Sequence, residues 1–344
     1  MKDIVTILNN DDMFVLKWRL TEWCNYNCSY CLRAEKQLAT KNGIKDTIIK
    51  KRDKEYDEKI ILETAPDVNR ILDEIAIPTK INIIGGETTF LDLKAIFNKI
   101  TSKYFKKVNI TTNFSNSLEY YLDLLHYLYE REIGLSMTAS LHNEYVKVED
   151  FVKKVSIFKE EANRLGMKNI KIEFVVAESN IELVNEFIST CEKYEINYLM
   201  EIDKTSSQEF KNKVQKMIKS KQTNSRYKIY FSDGTISKDF TRNNLITQKI
   251  CTHQFSKTSF ITQYPDKKIY CTSGITYLYI WGTMVFINSS CDKRAKNIKE
   301  FHVKSFSERD LRLCVYKTCN LCGAISLSSD KEFLKKAMQE KGFL

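Results

Sequence analysis

Between residues 14 and 203, short apolar runs of strand length alternate with longer stretches that carry apolar residues at helical spacing. Phe14, Val15, Leu16, Trp18 and Leu20 read as a strand. Residues 33–56 are basic and polar (Arg33, Lys36, Lys41, Lys45, Lys50, Lys51, Arg52) and read as a loop or frayed helix. Residues 60–75 then read as a helix despite Pro66, 80–84 as a strand ending in Gly85-Gly86-Glu87, 91–104 as a helix, and 108–112 as a strand ending at Asn113. The rhythm continues with helix 118–131, strand 134–140, helix 148–165, strand 170–176, helix 181–194 and strand 196–202. Strands alternating with helices imply βαβ crossovers and a parallel sheet covered by helices. Six strands over about 190 residues fit either an open doubly wound sheet or a barrel.

The rhythm then stops. Over 204–228 an apolar stripe (Phe210, Val214, Met217, Ile218) is surrounded by Lys211, Lys213, Lys216, Lys219 and Lys221. It reads as a surface helix with a solvated basic face, or as a bridge that helps hold an acidic substrate. Short extended runs follow at 227–231, 258–264, 268–271 and 277–287.

Composition narrows the class. A chain of 344 residues with 43% hydrophobic content supports about two units, each with its own core. No apolar window reaches the ~18 residues of a membrane span. The N-terminus carries acids where a signal peptide needs an apolar core, so a cytoplasmic location is expected. There, ten cysteines speak for metal ligation or reactivity rather than disulfides. The net charge of +10 favours an acidic partner such as an acidic peptide, a phosphorylated small molecule or nucleic acid.

The chemistry is concentrated at Cys24, Cys28 and Cys31, spaced C-x3-C-x2-C directly after the first strand. Three thiolates on one short loop suit three corners of a cubane iron–sulfur cluster, leaving one iron open. A structural zinc site would want a fourth ligand, and the nearest histidine in sequence is His126. Buried thiols without a metal are the remaining alternative. Gly85-Gly86-Glu87 ends the next strand of the rhythm, where glycines admit close backbone approach and a carboxylate can hold an ammonium group.

Together these two motifs resemble the radical S-adenosylmethionine (SAM) superfamily, including the aromatic Tyr30 before the last cysteine. The resemblance implies a partial (βα)6 TIM-like barrel over residues 1–203. It also implies a [4Fe–4S] cluster on Cys24, Cys28 and Cys31, with SAM on the open iron. Tyr30, Gly85, Gly86, Glu87, Thr112, Asn113, Ser140 and Asn180 would line the SAM site; Thr112, Asn113, Ser140 and Asn180 read equally as capping or turn residues. Reductive cleavage of SAM would yield a 5′-deoxyadenosyl radical, with electrons from an external flavodoxin- or ferredoxin-type donor.

Six further cysteines lie in the last third: Cys251, Cys271, Cys291, Cys314, Cys319 and Cys322. This part resembles the small auxiliary-cluster domain of radical SAM enzymes, twitch in its short form and SPASM in its longer one. The implied layout is a basic linker helix at 204–228 and an auxiliary domain at 229–344. Cys251, Cys271 and two of Cys314, Cys319 and Cys322 would hold an auxiliary [4Fe–4S] cluster, and Cys291 could contribute to a second. A zinc ribbon is the alternative for the same spacing. Cys191 reads as a buried thiol; His142, at a strand end after Ser140, reads either as facing the active site or, like His126, His253 and His302, as structural or solvated.

Enzymes with such a domain often modify ribosomally made peptides, so a peptide is the first substrate expectation. Only 23 residues precede Cys24, so a separate partner would have to bind a leader peptide. The second expectation is a small molecule such as a sugar, nucleotide or cofactor precursor. A non-catalytic metalloprotein binding nucleic acid is the alternative of another class.

Overall fold

The structure, a computed structural model, describes residues 4–9, 12–31, 54–203, 206–215, 217, 227–240, 268, 270–287, 296–303, 310–313 and 326–344. Strand β1 (Ile4–Asn9) is followed by β2 (Phe14–Thr21), helix α1 (Lys54–Ile75) and β3 (Thr79–Gly85). Then come α2 (Leu93–Asn98), β4 (Phe105–Thr112), α3 (Leu118–Glu130), β5 (Gly134–Leu141) and α4 (Val148–Arg164). The series closes with β6 (Asn169–Val176), α5 (Val184–Lys193) and β7 (Asn197–Ile202). Strands β2 to β7 pair in parallel and in sequence order, the six strands the periodicity predicts.

Strands β3, β4 and β6 bury every second residue, and β2 and β5 do so over part of their length, whereas β7 buries Tyr198, Leu199 and Met200 in succession. Leu16, Trp18, Ile81, Ile83, Val108, Ile110, Met137, Ile172 and Phe174 share one core with Ile61, Val68 and Ile71 of α1 and with Val152, Val155 and Phe158 of α4. The intervening residues point to the other face and are polar: Lys17 and Arg19 on β2, Lys80 and Asn82 on β3, Asn109 and Thr111 on β4, Lys171 and Glu173 on β6, all half-buried. Because the strands run the same way, their C-terminal ends share one edge, where ligands of such sheets gather.

Helix α1 begins at Lys54, earlier than its apolar pattern suggests, and Pro66 sits on its exposed face. Leu62, whose carbonyl loses its donor to that proline, is exposed as well, so water can serve it. The helix expected over 91–104 is cut short to a 3-10 turn (Thr88–Phe90) and the brief α2. Neighbouring side chains take the groups that would have continued it. Asn69 Oδ1 accepts from Thr101 N (2.8 Å) and Ser102 N (3.1 Å), and Arg131 donates to Phe97 O (2.7 Å) and Ile100 O (3.2 Å). Likewise the helix expected over 181–194 is a 3-10 segment (Glu178–Leu183) followed by α5.

The remaining described segments are α6 (Gln208–Gln215), β8 (Tyr227–Phe231), β9 (Ile236–Phe240), β10 (Tyr270–Cys271), β11 (Tyr277–Trp281), β12 (Met284–Phe286), β13 (Lys296–Asn297), β14 (Arg312–Leu313), β15 (Leu327–Ser328) and α7 (Lys331–Glu340). Phe210 and Val214 of α6 are buried, as its apolar stripe predicts. Strand β11 lies parallel to β2, Tyr277 opposite Val15 and Trp281 opposite Arg19, so the larger sheet runs β13-β12-β11-β2-β3-β4-β5-β6-β7. Strands β14, β10, β15, β1, β8 and β9 form a second sheet. Among the described residues no helix is long and apolar enough to cross a membrane.

Candidate functional site

The cysteine loop leaves β2 at Thr21, whose hydroxyl donates to Asp57 of α1 (2.6 Å) and accepts from Trp23 N (2.9 Å). The end of β3 then presses directly on it. Gly86 N donates to Thr21 O and Glu87 N to Trp23 O, both at 2.8 Å. A Cβ on Gly86 would stand 1.8 Å from Trp23 O, and one on Gly85 2.6 Å from Thr21 O. Both glycines are therefore required by the chain's own backbone, which welds Gly85-Gly86-Glu87 to the entrance of the cysteine loop.

Glu87 turns inward. It is 1% exposed and accepts from Thr89 N (3.0 Å), Thr89 Oγ1 (2.6 Å), Thr112 Oγ1 (2.7 Å) and Asn113 N (2.5 Å). Burial raises its pKa above the ordinary carboxylate range, and those hydrogen bonds oppose the shift without cancelling it. One carboxylate thus ties the end of β3 to the end of β4. Just beyond, Phe114 adopts φ +57°, an unusual conformation for a bulky side chain, with its ring stacked on Tyr121 at 3.9 Å. That turn lets Asn113 reach back to the cysteine loop: its Nδ2 donates to Asn25 Oδ1 (2.8 Å) and lies 4.0 Å from Cys24 Sγ.

The far side of the loop meets the end of β5. His142 Nδ1 lies 3.1 Å from Cys28 Sγ and 2.9 Å from Tyr30 OH, and the Tyr30 and His142 rings are parallel at 5.9 Å. The structure thus brings His142 against the cysteine loop. Its desolvation lowers the imidazole pKa to about 4, against the pull of Glu144. Burial, then Glu144 and the two neighbouring cysteines, pushes the Cys28 thiol up to about 12, and burial likewise raises Tyr30. Cys24 is exposed, Cys28 buried and Cys31 intermediate. Among the described residues, no three of His, Cys, Asp and Glu are gathered at metal-holding distances.

Thr112 and Asn113 sit beside the cysteine loop through the Glu87 network, and half-buried Ser140 lies at the end of β5, opposite Glu173. Asn180 is fully buried: its Oδ1 accepts from Ala177 N (2.8 Å), while Nδ2 donates to Asn143 Oδ1 (2.9 Å) and Val175 O (3.0 Å). Its amide therefore serves as a cap. Cys191 is a buried thiol of α5, and Cys271 is buried on β10. Cys251, Cys291, Cys314, Cys319, Cys322 and His253 lie outside the described residues. His126 faces Glu161 at 3.0 Å, and His302 faces Glu74 at 2.8 Å. The sequence reading missed Ser115, Glu144 and Tyr145, which hold the cysteine loop, and Asn25, the loop residue that Ser115 and Asn113 hold. The one available signal was Glu144 and Tyr145 following His142 closely.

No protein-family model matches the chain. A S-adenosylmethionine-dependent nucleotide dehydratase of Fibrobacter sp. (strain UWH6) is 30% identical over 181 residues, 50% of this chain and 50% of the relative. The chain thus matches about half the length of that curated relative. Among solved structures, Streptococcus suis SuiB bound to S-adenosylmethionine gives a TM-score of 0.46 at 15% identity, covering 84% of this chain and 64% of that one. SuiB bound to its precursor peptide SuiA gives 0.47 at 14% identity, covering 85% and 63%.

Proposed function

We propose that this chain is a radical SAM enzyme in which Cys24, Cys28 and Cys31 hold a [4Fe–4S] cluster that binds and reductively cleaves SAM. The observation that carries the reading is the weld between two motifs distant in sequence: Gly86 and Glu87 bonded to Thr21 and Trp23 at the mouth of the cysteine loop. The donor set fits the group, because three soft thiols on one loop match iron–sulfur chemistry and leave a corner for SAM. The relative named for its dependence on SAM supports it further. When bound, the cluster and SAM would supply radical chemistry that removes a hydrogen atom from substrate. The chain's own residues orient and shield: Glu87 fixes the ends of β3 and β4, and Asn113 and His142 flank the loop. In this reading the six-strand unit is a partial barrel, Tyr30, Thr112, Asn113 and Ser140 line the SAM site, and the C-terminal cysteines hold an auxiliary cluster. Electrons come from a flavodoxin- or ferredoxin-type donor.

Two substrate classes follow. A ribosomally made peptide is the reading drawn from the auxiliary-domain resemblance. A nucleotide or other phosphorylated small molecule is favoured by the named relative. Anaerobic reconstitution followed by quantification of 5′-deoxyadenosine tests the common core. The expected outcome is reductant-dependent release that Cys28→Ala abolishes; none from reduced, iron-loaded protein sinks the proposal. Adding candidate nucleotides or peptides and measuring enhanced release then separates the two classes.

A further inference from the structure

Three elements surround the cysteine loop, and two of them belong to motifs already described. The third does not. The turn from β5 into α4 sends three consecutive kinds of contact into the loop's spacer residues. Tyr145 OH accepts from Asn27 N at 2.6 Å, and its ring stacks on Tyr26 at 4.0 Å and 3°. The Glu144 carboxylate accepts from Ser29 N at 3.1 and 3.3 Å and from the Ser29 hydroxyl. His142 stacks on Tyr30 and meets Tyr26 edge-on at 5.6 Å.

These contacts fall on Tyr26, Asn27, Ser29 and Tyr30, the residues between the cysteines. A loop of this length carries many backbone conformers, and the entropy of ordering it must be met by contacts from elsewhere. Charge-assisted bonds to a carboxylate are among the stronger ones available at a surface. Glu144 and Tyr145 are themselves exposed, so core packing does not explain their orientation toward the loop.

We infer that Glu144 and Tyr145 are positioning residues: the β5–α4 turn is a cradle that sets the conformation of the cysteine loop before any iron arrives. The inference rests on the loop being the metal-binding element, yet its test needs neither iron nor SAM. Cys28, 5% exposed, stays shielded only while the cradle holds Asn27 and Ser29. In the full-length apo protein, iodoacetamide labelling is followed for each cysteine by peptide mass spectrometry. Tyr145→Ala should speed labelling of Cys28 about tenfold, as expected for losing one stacked, hydrogen-bonded ring. For Glu144→Ala, whose lost charge by itself favours the Cys28 thiolate, the cradle is read instead as about tenfold faster hydrogen exchange at the Asn27 amide, which Tyr145 holds. Cys24, already exposed, should change little, and buried Cys191 should stay unlabelled as a sign of intact folding. If an alanine variant also exposes Cys191, Glu144→Gln and Tyr145→Phe decide, because they keep the bulk; several-fold faster Asn27 amide exchange in the first and several-fold faster Cys28 labelling in the second then support the cradle. Asn27 exchange in the Glu144 variants and Cys28 labelling in the Tyr145 variants within twofold of the parent, with Cys191 protected, overturn it. A normal cradle with no SAM cleavage would instead count against the proposed function alone.

Discussion

Glu87 and Glu74 are both glutamates that accept several hydrogen bonds, yet folding moves their acidities in opposite directions. Glu87 lies at the strand ends among the neutral donors Thr89, Thr112 and Asn113, and desolvation raises its pKa. Glu74 lies on the flank of α1. Burial pushes it up too, but Val303 N (2.6 Å), the Arg70 guanidinium (2.8 Å) and His302 (2.8 Å) outweigh that and lower it. The difference is the company each keeps. Neutral donors organise a buried carboxylate without fully supporting its charge, whereas a cation at a half-exposed edge does support it. The first arrangement suits a site that must be rigid. The second is a strap, fastening α1 to residues 298–303, since Arg70 also donates to Ile298 O and Phe301 O, both at 2.7 Å.

The sharpest way to break the site region is Gly86→Ala. A methyl group 1.8 Å from a backbone oxygen cannot be accommodated by rotating a side chain, so the cysteine loop must move away from β3. We expect a loss of about 3 kcal/mol or more, at the upper end of overpacking costs, together with failed iron incorporation on reconstitution. Gly166→Ala is the control: φ is +79° but nothing lies within 4 Å of the added carbon, so only backbone strain of about 1 kcal/mol remains. Thermal unfolding and iron analysis of both variants test this. Equal behaviour would remove the weld from the argument.

Next in size is the buried carboxylate. Replacing Glu87 by Ala orphans the Thr89 and Asn113 amides and should cost about 3 kcal/mol, since each buried unsatisfied group costs about 1–3 kcal/mol. The pH dependence is more diagnostic. A folded-state pKa above the unfolded one means the native protein binds the extra proton. Its stabilising contribution is then fully present below the ordinary carboxylate range and lost as pH rises through the raised value. Urea titrations across pH should show that decline in the parent, and Glu87→Gln should flatten it. A parent whose stability climbs over the same interval would mean that the donors, not desolvation, win at Glu87.

Much of this region was legible in advance, for identifiable reasons. Alternating burial in β3, β4 and β6, the apolar runs of the other strands and the helical spacing between them come from local sequence, so the six parallel strands could be read. The cysteine spacing and Gly85-Gly86-Glu87 were visible because the residue types are distinctive. Contacts set by distant partners left no such trace. Strand β11 joins β2 in parallel across a long separation. The 91–104 helix ended early because Asn69 and Arg131, on other elements, took its terminal groups. The glycines were readable as sites of close approach, but not that the approaching group is Trp23 of the chain itself. Glu87 was readable as an acid beside a ligand site, whereas its four donors and inward orientation depend on how β4 ends.

The smallest expected effect is at the strap, and it carries the opposite sign. Glu74 with a lowered folded pKa contributes stability that is present above its unfolded value and lost as pH falls through the folded one. The group is partly exposed and its partner His302 is 68% exposed, so screening limits the gain to about 1 kcal/mol at neutral pH. Glu74→Gln should therefore cost that amount near pH 7 and nothing once the parent's carboxyl is protonated, with the two unfolding curves converging in acid. Added salt should narrow the gap, because the Arg70 attraction is screened. At Glu87, where desolvation dominates and the hydrogen-bond partners are neutral, salt should leave the pH profile almost unmoved. Salt sensitivity at Glu87 and indifference at Glu74 would reverse the comparison, and would mean that local cations rather than burial set the acidity at the strand ends.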